Sequence, residues 1–127
     1  MKRPKNLGEL EQLMMDYVWS KGPVTAEDCR EALAPRRPLK DSTVRTVLRR
    51  LEEKGYLSHE IDSRNFVYRA TQPRRHVAAS AVQGIIDRFC GGSVEQLLVG
   101  MVENDVLDRR ELRQLARKIA ERKEKKS

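Results

Sequence analysis

Residues 41–70 read DSTVRTVLRRLEEKGYLSHEIDSRNFVYRA, and their hydrophobic period changes partway along. As far as Gly55 the apolar residues Val44, Val47, Leu48 and Leu51 recur at helical spacing. Beyond it, YLSHEI and NFVYRA are rich in β-forming residues and enclose the turn sequence DSR. The stretch therefore predicts a helix, with Asp41 or Ser42 as N-cap, followed by a hairpin. On a wheel of ~100° per residue the four apolar residues share one face. Ser42, Thr46 and Arg49 lie opposite, flanked by Arg45 on one side and Arg50 on the other. Short polar groups mixed with guanidinium suit a helix lying in a DNA major groove about 12 Å wide. There Arg can hold guanine through two hydrogen bonds, and Thr can meet a thymine methyl or a phosphate. Glu52 and Glu53 fall toward the far end, where phosphates repel them least. Arg64, at the hairpin tip, is placed to touch a phosphate or enter the minor groove.

Upstream, Leu7, Leu10, Met14, Tyr17 and Val18 form a helical stripe. Asn6 with Glu9 resembles a capping box, and Gly22-Pro23 stops the helix. Thr25 with Asp28 marks a second start, and Pro35 ends that segment, in which Cys29 and Leu33 share a face. Three helices followed by a hairpin is the order of a winged helix-turn-helix, expected over residues 1–71.

Downstream, Gln72-Pro73 opens a further helical region, residues 72–127. Val77, Ala81, Ile85, Ile86 and Phe89 form one stripe, closed by Gly91-Gly92. Ser93 with Gln96 caps the next, which carries Val94, Leu97, Leu98, Met101 and Val102. Asp108 with Glu111 starts a last helix with Leu112, Leu115 and Ile119, whose charged end ERKEKKS is expected to fray. Below roughly 70 residues a lone core is marginal. These apolar faces are expected to pack against a second copy, or else to fold back on the first domain. The fold class is thus mostly α with a small β-hairpin wing.

Composition narrows the partner and excludes several chemistries. Lys and Arg number 26 against 19 Asp and Glu in 127 residues, for a net charge of +7. A basic balance favours an anionic partner, and six basic residues against one acid cluster between Arg36 and Arg50. Cys29 and Cys90 are distant in sequence and share no ligand spacing with His59 and His76, so no metal or cofactor is expected. No nucleophile motif, phosphate loop or paired carboxylates nominate a catalytic residue. The start MKRPKNLGEL lacks an apolar run, and no stretch approaches the roughly 18 apolar residues of a membrane span, so a cytoplasmic protein without membrane insertion is expected.

LGELEQLMMDYVWSKGPVTAEDCREAL, STVRTVLRRLEEKGYLSHE, FVYRA, FCGGSVEQLLVGMVE and LDRRELRQLARKI together resemble the penicillinase-repressor family, from Leu7 to about Ile119. The resemblance implies an N-terminal winged helix, a helical dimerisation region, and repression by a homodimer on an inverted-repeat operator in double-stranded DNA. By position it places Thr43, Arg45 and Thr46 on the recognition helix, Arg64 on the wing, and residues 93–102 on the dimerisation helix. Copper-responsive members carry paired C-terminal cysteines, and Cys29 and Cys90 are not such a cluster. Antibiotic-responsive members are cut by a membrane-bound sensor protease at an Asn-Phe bond, which aligns with Gly100-Met101. Two other uses of the same surface remain open on the residues alone: docking an acidic protein, and sensing a small molecule between the domains. The first predicts no preference among DNA sequences. The second needs a roomy pocket, which one Trp, three Tyr and two Phe would have to line.

Overall fold

The computed structural model describes residues 7–126. In chain order it comprises α1 (Glu9–Lys21), α2 (Ala26–Leu33), α3 (Asp41–Glu53), β1 (Leu57–Asp62), β2 (Asn65–Ala70), α4 (Arg74–Phe89), α5 (Val94–Glu103) and α6 (Arg109–Lys126). The chain divides within α4 into two compact units, one reaching Ala81 and the other beginning at Val82.

The first unit is a winged helix. Its core gathers Met14, Met15 and Val18 of α1, Ala26, Cys29 and Leu33 of α2, and Val44, Val47, Leu48 and Leu51 of α3. All four apolar residues predicted for α3 are therefore core residues. Met15, which the α1 stripe leaves out, is fully buried as well. The α1 cap differs from expectation. Gly8 is the N-cap, and its N–H donates to the Glu11 carboxylate at 2.8 Å, while Asn6 lies outside the described residues. The α2 cap forms as predicted: Asp28 N–H donates to Thr25 Oγ1 at 3.1 Å and Thr25 N–H donates to Asp28 Oδ2 at 2.9 Å. Thr25→Ala should lower the unfolding free energy by about 1 kcal/mol, read from the urea midpoint at unchanged slope.

β1 and β2 pair antiparallel, with Asp62 opposite Asn65, so the loop is the two residues Ser63 and Arg64. Both have positive φ, 49° and 73°. Such a turn carries the right-handed twist that a hairpin needs. A two-stranded hairpin is marginal alone, and here Leu57 and Tyr68 bury against the helices. Val24, between α1 and α2, adds a bridge to β2: its N–H donates to the Tyr68 carbonyl at 2.9 Å and its carbonyl accepts the Tyr68 N–H at 2.7 Å. The hairpin is thus fixed both to α3 and to the start of α2.

In the second unit Ser93 Oγ accepts the Gln96 N–H at 3.2 Å and Asp108 Oδ1 accepts the Arg110 N–H at 2.6 Å, capping α5 and α6. The charged end expected to fray remains helical to Lys126. Little of this unit's apolar surface is covered. Ile86 is buried, whereas Ile85, Phe89, Val94, Val99, Val106, Leu115 and Ile119 are exposed.

Candidate nucleic-acid interface

The face of α3 opposite its core positions carries Ser42, Arg45, Arg49 and Arg50 exposed, and Thr43 and Thr46 are half-buried. Two local contacts order it. Arg45 Nε donates to Asp41 Oδ2 at 2.8 Å, one turn back, and this hydrogen bond raises the Arg45 pKa. Thr46 Oγ1 donates to the Ser42 carbonyl at 2.9 Å. Asp41 or Ser42 was expected as the N-cap, but both lie within the helix; Lys40 is the N-cap and supplies no side-chain bond. The carboxylate of Asp41 holds the Arg45 guanidinium instead, and it favours the positive end of the helix dipole.

Arg50 differs from the other two arginines. Burial alone would raise the Glu11 pKa, but hydrogen bonds from Lys54 Nζ, at 2.7 Å to Oε1, and from the Gly8 N–H lower it, with the Lys54 charge and then the Arg50 charge adding to the effect. Arg50 therefore lies on the flank toward α1. Arg36 and Arg37 are exposed in the turn after α2.

The structure brings Arg45 and Arg64 together. Both line a groove of about 400 Å³ whose other walls are Thr25, Ala26 and Glu27 from the start of α2 and Asn65, Phe66 and Tyr68 from β2. An element beneath this groove was missed by the sequence reading. His59 on β1 contacts Glu52 of α3 at 2.5 Å, and its ring stacks on Phe66 at 4.3 Å between centroids, 7° from parallel. Tyr68 stands beside both rings. Burial is the main cause of its raised pKa, with Glu52 adding to it and the Arg45 and Arg49 charges opposing. These side chains clamp the wing onto α3, so the two cationic elements are held in fixed register. The signal was present in the alternation of His59 and Ile61 opposite Tyr68 and Phe66, which places all four on one face of the hairpin.

The other chemistry-bearing residues lie elsewhere. Burial, and secondarily the Asp28 charge, pushes the Cys29 thiol up to about 12, so no thiolate is available there at neutral pH. Cys90 is half-buried at the end of α4. Among the described residues no three His, Cys, Asp or Glu side chains gather as metal ligands, and no helix is long and apolar enough to cross a membrane.

In the second unit, Leu98, Val99, Val102 and Leu112 line an open groove of about 600 Å³ between α5 and α6, bracketed by Glu95, Glu103 and Arg109. Leu97 and Met101 are half-buried, and Val94 and Leu115 are exposed.

Comparison with known proteins agrees with this geometry. The penicillinase repressor family model matches residues 7–121. Transcriptional regulator BlaI of Mycobacterium tuberculosis is 36% identical over 105 residues, covering 81% of this chain and 76% of that protein. The penicillinase repressor of Bacillus licheniformis is 25% identical over 126 residues, covering 99% of this chain and 98% of that one. The solution structure of the DNA-binding domain of the repressor BlaI superposes with a TM-score of 0.52 at 26% identity, over 58% of this chain and 90% of that domain. With the match spanning both units, the chain belongs to the penicillinase repressor family, a family of non-enzymatic, DNA-binding transcriptional repressors.

Proposed function

We propose that this protein represses transcription in the cytoplasm as a homodimer, each winged helix reading one half-site of an inverted-repeat operator. The observation that carries this reading is the convergence of Arg45 and Arg64 on one groove beside the exposed Ser42 and Arg49. A helix supplying base contacts and a wing tip supplying a backbone contact divide the work as DNA readers do. Ser42, Thr43, Arg45, Thr46 and Arg49 form the reading face, Arg50 anchors a phosphate at its edge, and Arg64 anchors the wing.

The exposed apolar faces of α5 and α6 support pairing with a second copy. Val94, Leu97, Leu98, Met101, Val102, Leu112 and Leu115 would supply the contact. Acidic and basic residues bracket the groove, so a two-fold arrangement can set Arg109 of each copy against a glutamate of the other. Titration of the protein onto labelled duplexes, with sedimentation at the same concentrations, tests the reading. Tight binding by a dimer to an inverted repeat, and weak binding to one half-site or a scrambled duplex, is expected. Equal affinity for all three would overturn it.

The same reading makes a membrane-bound sensor protease a partner, with Gly100–Met101 as the bond cut when repression lifts. The Gly100 carbonyl belongs to that bond. It accepts the Asn104 backbone N–H at 3.0 Å and the Asn104 side-chain amide at 2.7 Å. Cleavage must first open this last turn of α5. A methyl on Gly100 meets open space within the chain, and Ala stabilises a helix over Gly by about 0.5–1 kcal/mol. Gly100→Ala should therefore slow cleavage about two- to fivefold, and Asn104→Ala should accelerate it. Intact mass over a proteolysis time course reads both, and a Gly100→Ala rate equal to wild type would show that opening does not limit the cut.

A further inference from the structure

Exposed apolar surface in the first unit is concentrated at one place. Among its described residues, up to Ala81, the exposed large apolar side chains are Ile61 and Phe66 alone, 67% and 43% exposed. They are paired across the hairpin, each two residues from the Ser63-Arg64 turn. Opposed residues of an antiparallel pair have Cβ atoms about 5 Å apart, so the two form one continuous patch. Phe66 also lines the groove shared by Arg45 and Arg64. A cross-strand apolar pair can support a hairpin, but Ile61, two-thirds exposed, gains little of what burial would give it.

Charge is sorted across the same hairpin. Successive residues of a strand point to opposite faces. Ile61 and Phe66 share a face with His59, which contacts Glu52 of α3. Glu60 and Asp62 fall on the other face, where Glu60 stands 3.6 Å from Arg69. Glu27, on the groove wall formed by α2, is engaged by Arg30 at 3.3 Å. The wing therefore turns carbon toward the side of Arg45 and keeps its own carboxylates away from it, a distribution that suits a polyanion carrying apolar edges.

We propose that Ile61 and Phe66 form an apolar seat for the deoxyribose rings of one DNA strand, a contact that adds affinity without reading sequence. The proposal rests on the DNA-reading assignment of Arg45 and Arg64 above. With Arg45 in the major groove and Arg64 at the adjoining phosphate or minor groove, the strand that separates the two grooves passes between them and over the patch. Its sugars present carbon edges between the charged phosphates, and contacts to sugar and phosphate position a protein without specifying bases. The seat has an energetic signature of its own. An arginine on a phosphate releases counterions, so its contribution fades as salt rises. Carbon packed on carbon releases none, and its contribution persists.

Ile61→Thr tests this, because it removes apolar surface while keeping the β-branched shape that suits a strand. Ile61→Val is the conservative control. Affinities of the full-length proteins are measured on the cognate operator and on a scrambled duplex across a salt series, together with the unfolding midpoint. Ile61→Thr is expected to unfold with wild-type protein and to lose about three- to tenfold on both duplexes. The slope of log K against log salt should stay at its wild-type value, and Ile61→Val should recover most of the loss. Wild-type affinity for Ile61→Thr on both duplexes would overturn the proposal. So would a loss confined to the cognate duplex, which marks a base contact, or a shallower salt slope, which marks displacement of Arg64. Wild-type protein that binds neither duplex would instead remove the DNA-reading assignment and this proposal with it.

Discussion

If the protein pairs as proposed, Leu98→Asp is expected to yield a monomer and to weaken operator binding by about 10²- to 10⁴-fold, while binding to a single half-site stays within about twofold of wild type. Leu98 lines the α5–α6 groove with Val99, Val102 and Leu112 and is only half-buried within one chain. Its remaining apolar surface is available to a partner, which in the proposed homodimer is a second copy. A carboxylate there would be taken out of water without a partner, which opposes association far more than loss of the leucine contact alone. The winged unit should be untouched, because its core runs from Met14 to Tyr68 and includes nothing from α5 or α6. Sedimentation at micromolar concentration and anisotropy on whole and half operators read the two effects separately. A variant that stays dimeric, or a monomer that binds the whole operator as tightly as wild type, would show that this face does not join the copies.

Local period was enough to place the elements of the winged unit. Val44, Val47, Leu48 and Leu51 define the inner face of α3 by spacing alone, and all are buried. The outer face followed by subtraction. The hairpin was equally plain, because a change from helical to alternating period beside DSR leaves few other structures. Contacts between distant residues were not visible in this way. The choice of Gly8 over Asn6 as N-cap depends on the backbone path into α1. Asp41 is a good capping residue in isolation, but an arginine one turn on takes its carboxylate. The Glu52–His59 contact and the bridge from Val24 to Tyr68 join segments whose proximity only the packed fold creates. In α4 the stripe from Val77 to Phe89 looks uniform, yet Val77 packs on the winged core whereas Phe89 is exposed. Amphipathicity shows that a face must be covered; the shortness of these helices pointed to a second copy as the cover and left a fold back on the first domain as the alternative.

Arg45→Ala and Arg64→Gly should separate base reading from phosphate anchoring. Arg45 stands in the exposed N-terminal half of α3, held by Asp41 and beside Ser42 and Arg49. If it pairs with a base edge, its loss should weaken the cognate operator about ten- to a hundredfold and leave a scrambled duplex nearly unaffected. Arg64 sits at φ 73° in the hairpin turn, where glycine is the residue best suited to the backbone. Substitution by Gly therefore removes the guanidinium while relieving the turn, so any loss of binding reflects the missing cation and not a damaged wing. That loss should be similar on cognate and scrambled duplexes, and the slope of log K against log salt should become shallower by about one unit. The shared groove makes the two sites close neighbours, so the double variant should fall short of, or exceed, the sum of the single effects. Affinities on both duplexes across a salt series decide the assignment. Equal losses for Arg45→Ala on cognate and scrambled DNA would make it a phosphate contact, and specificity would then rest on Ser42, Thr43, Thr46 and Arg49.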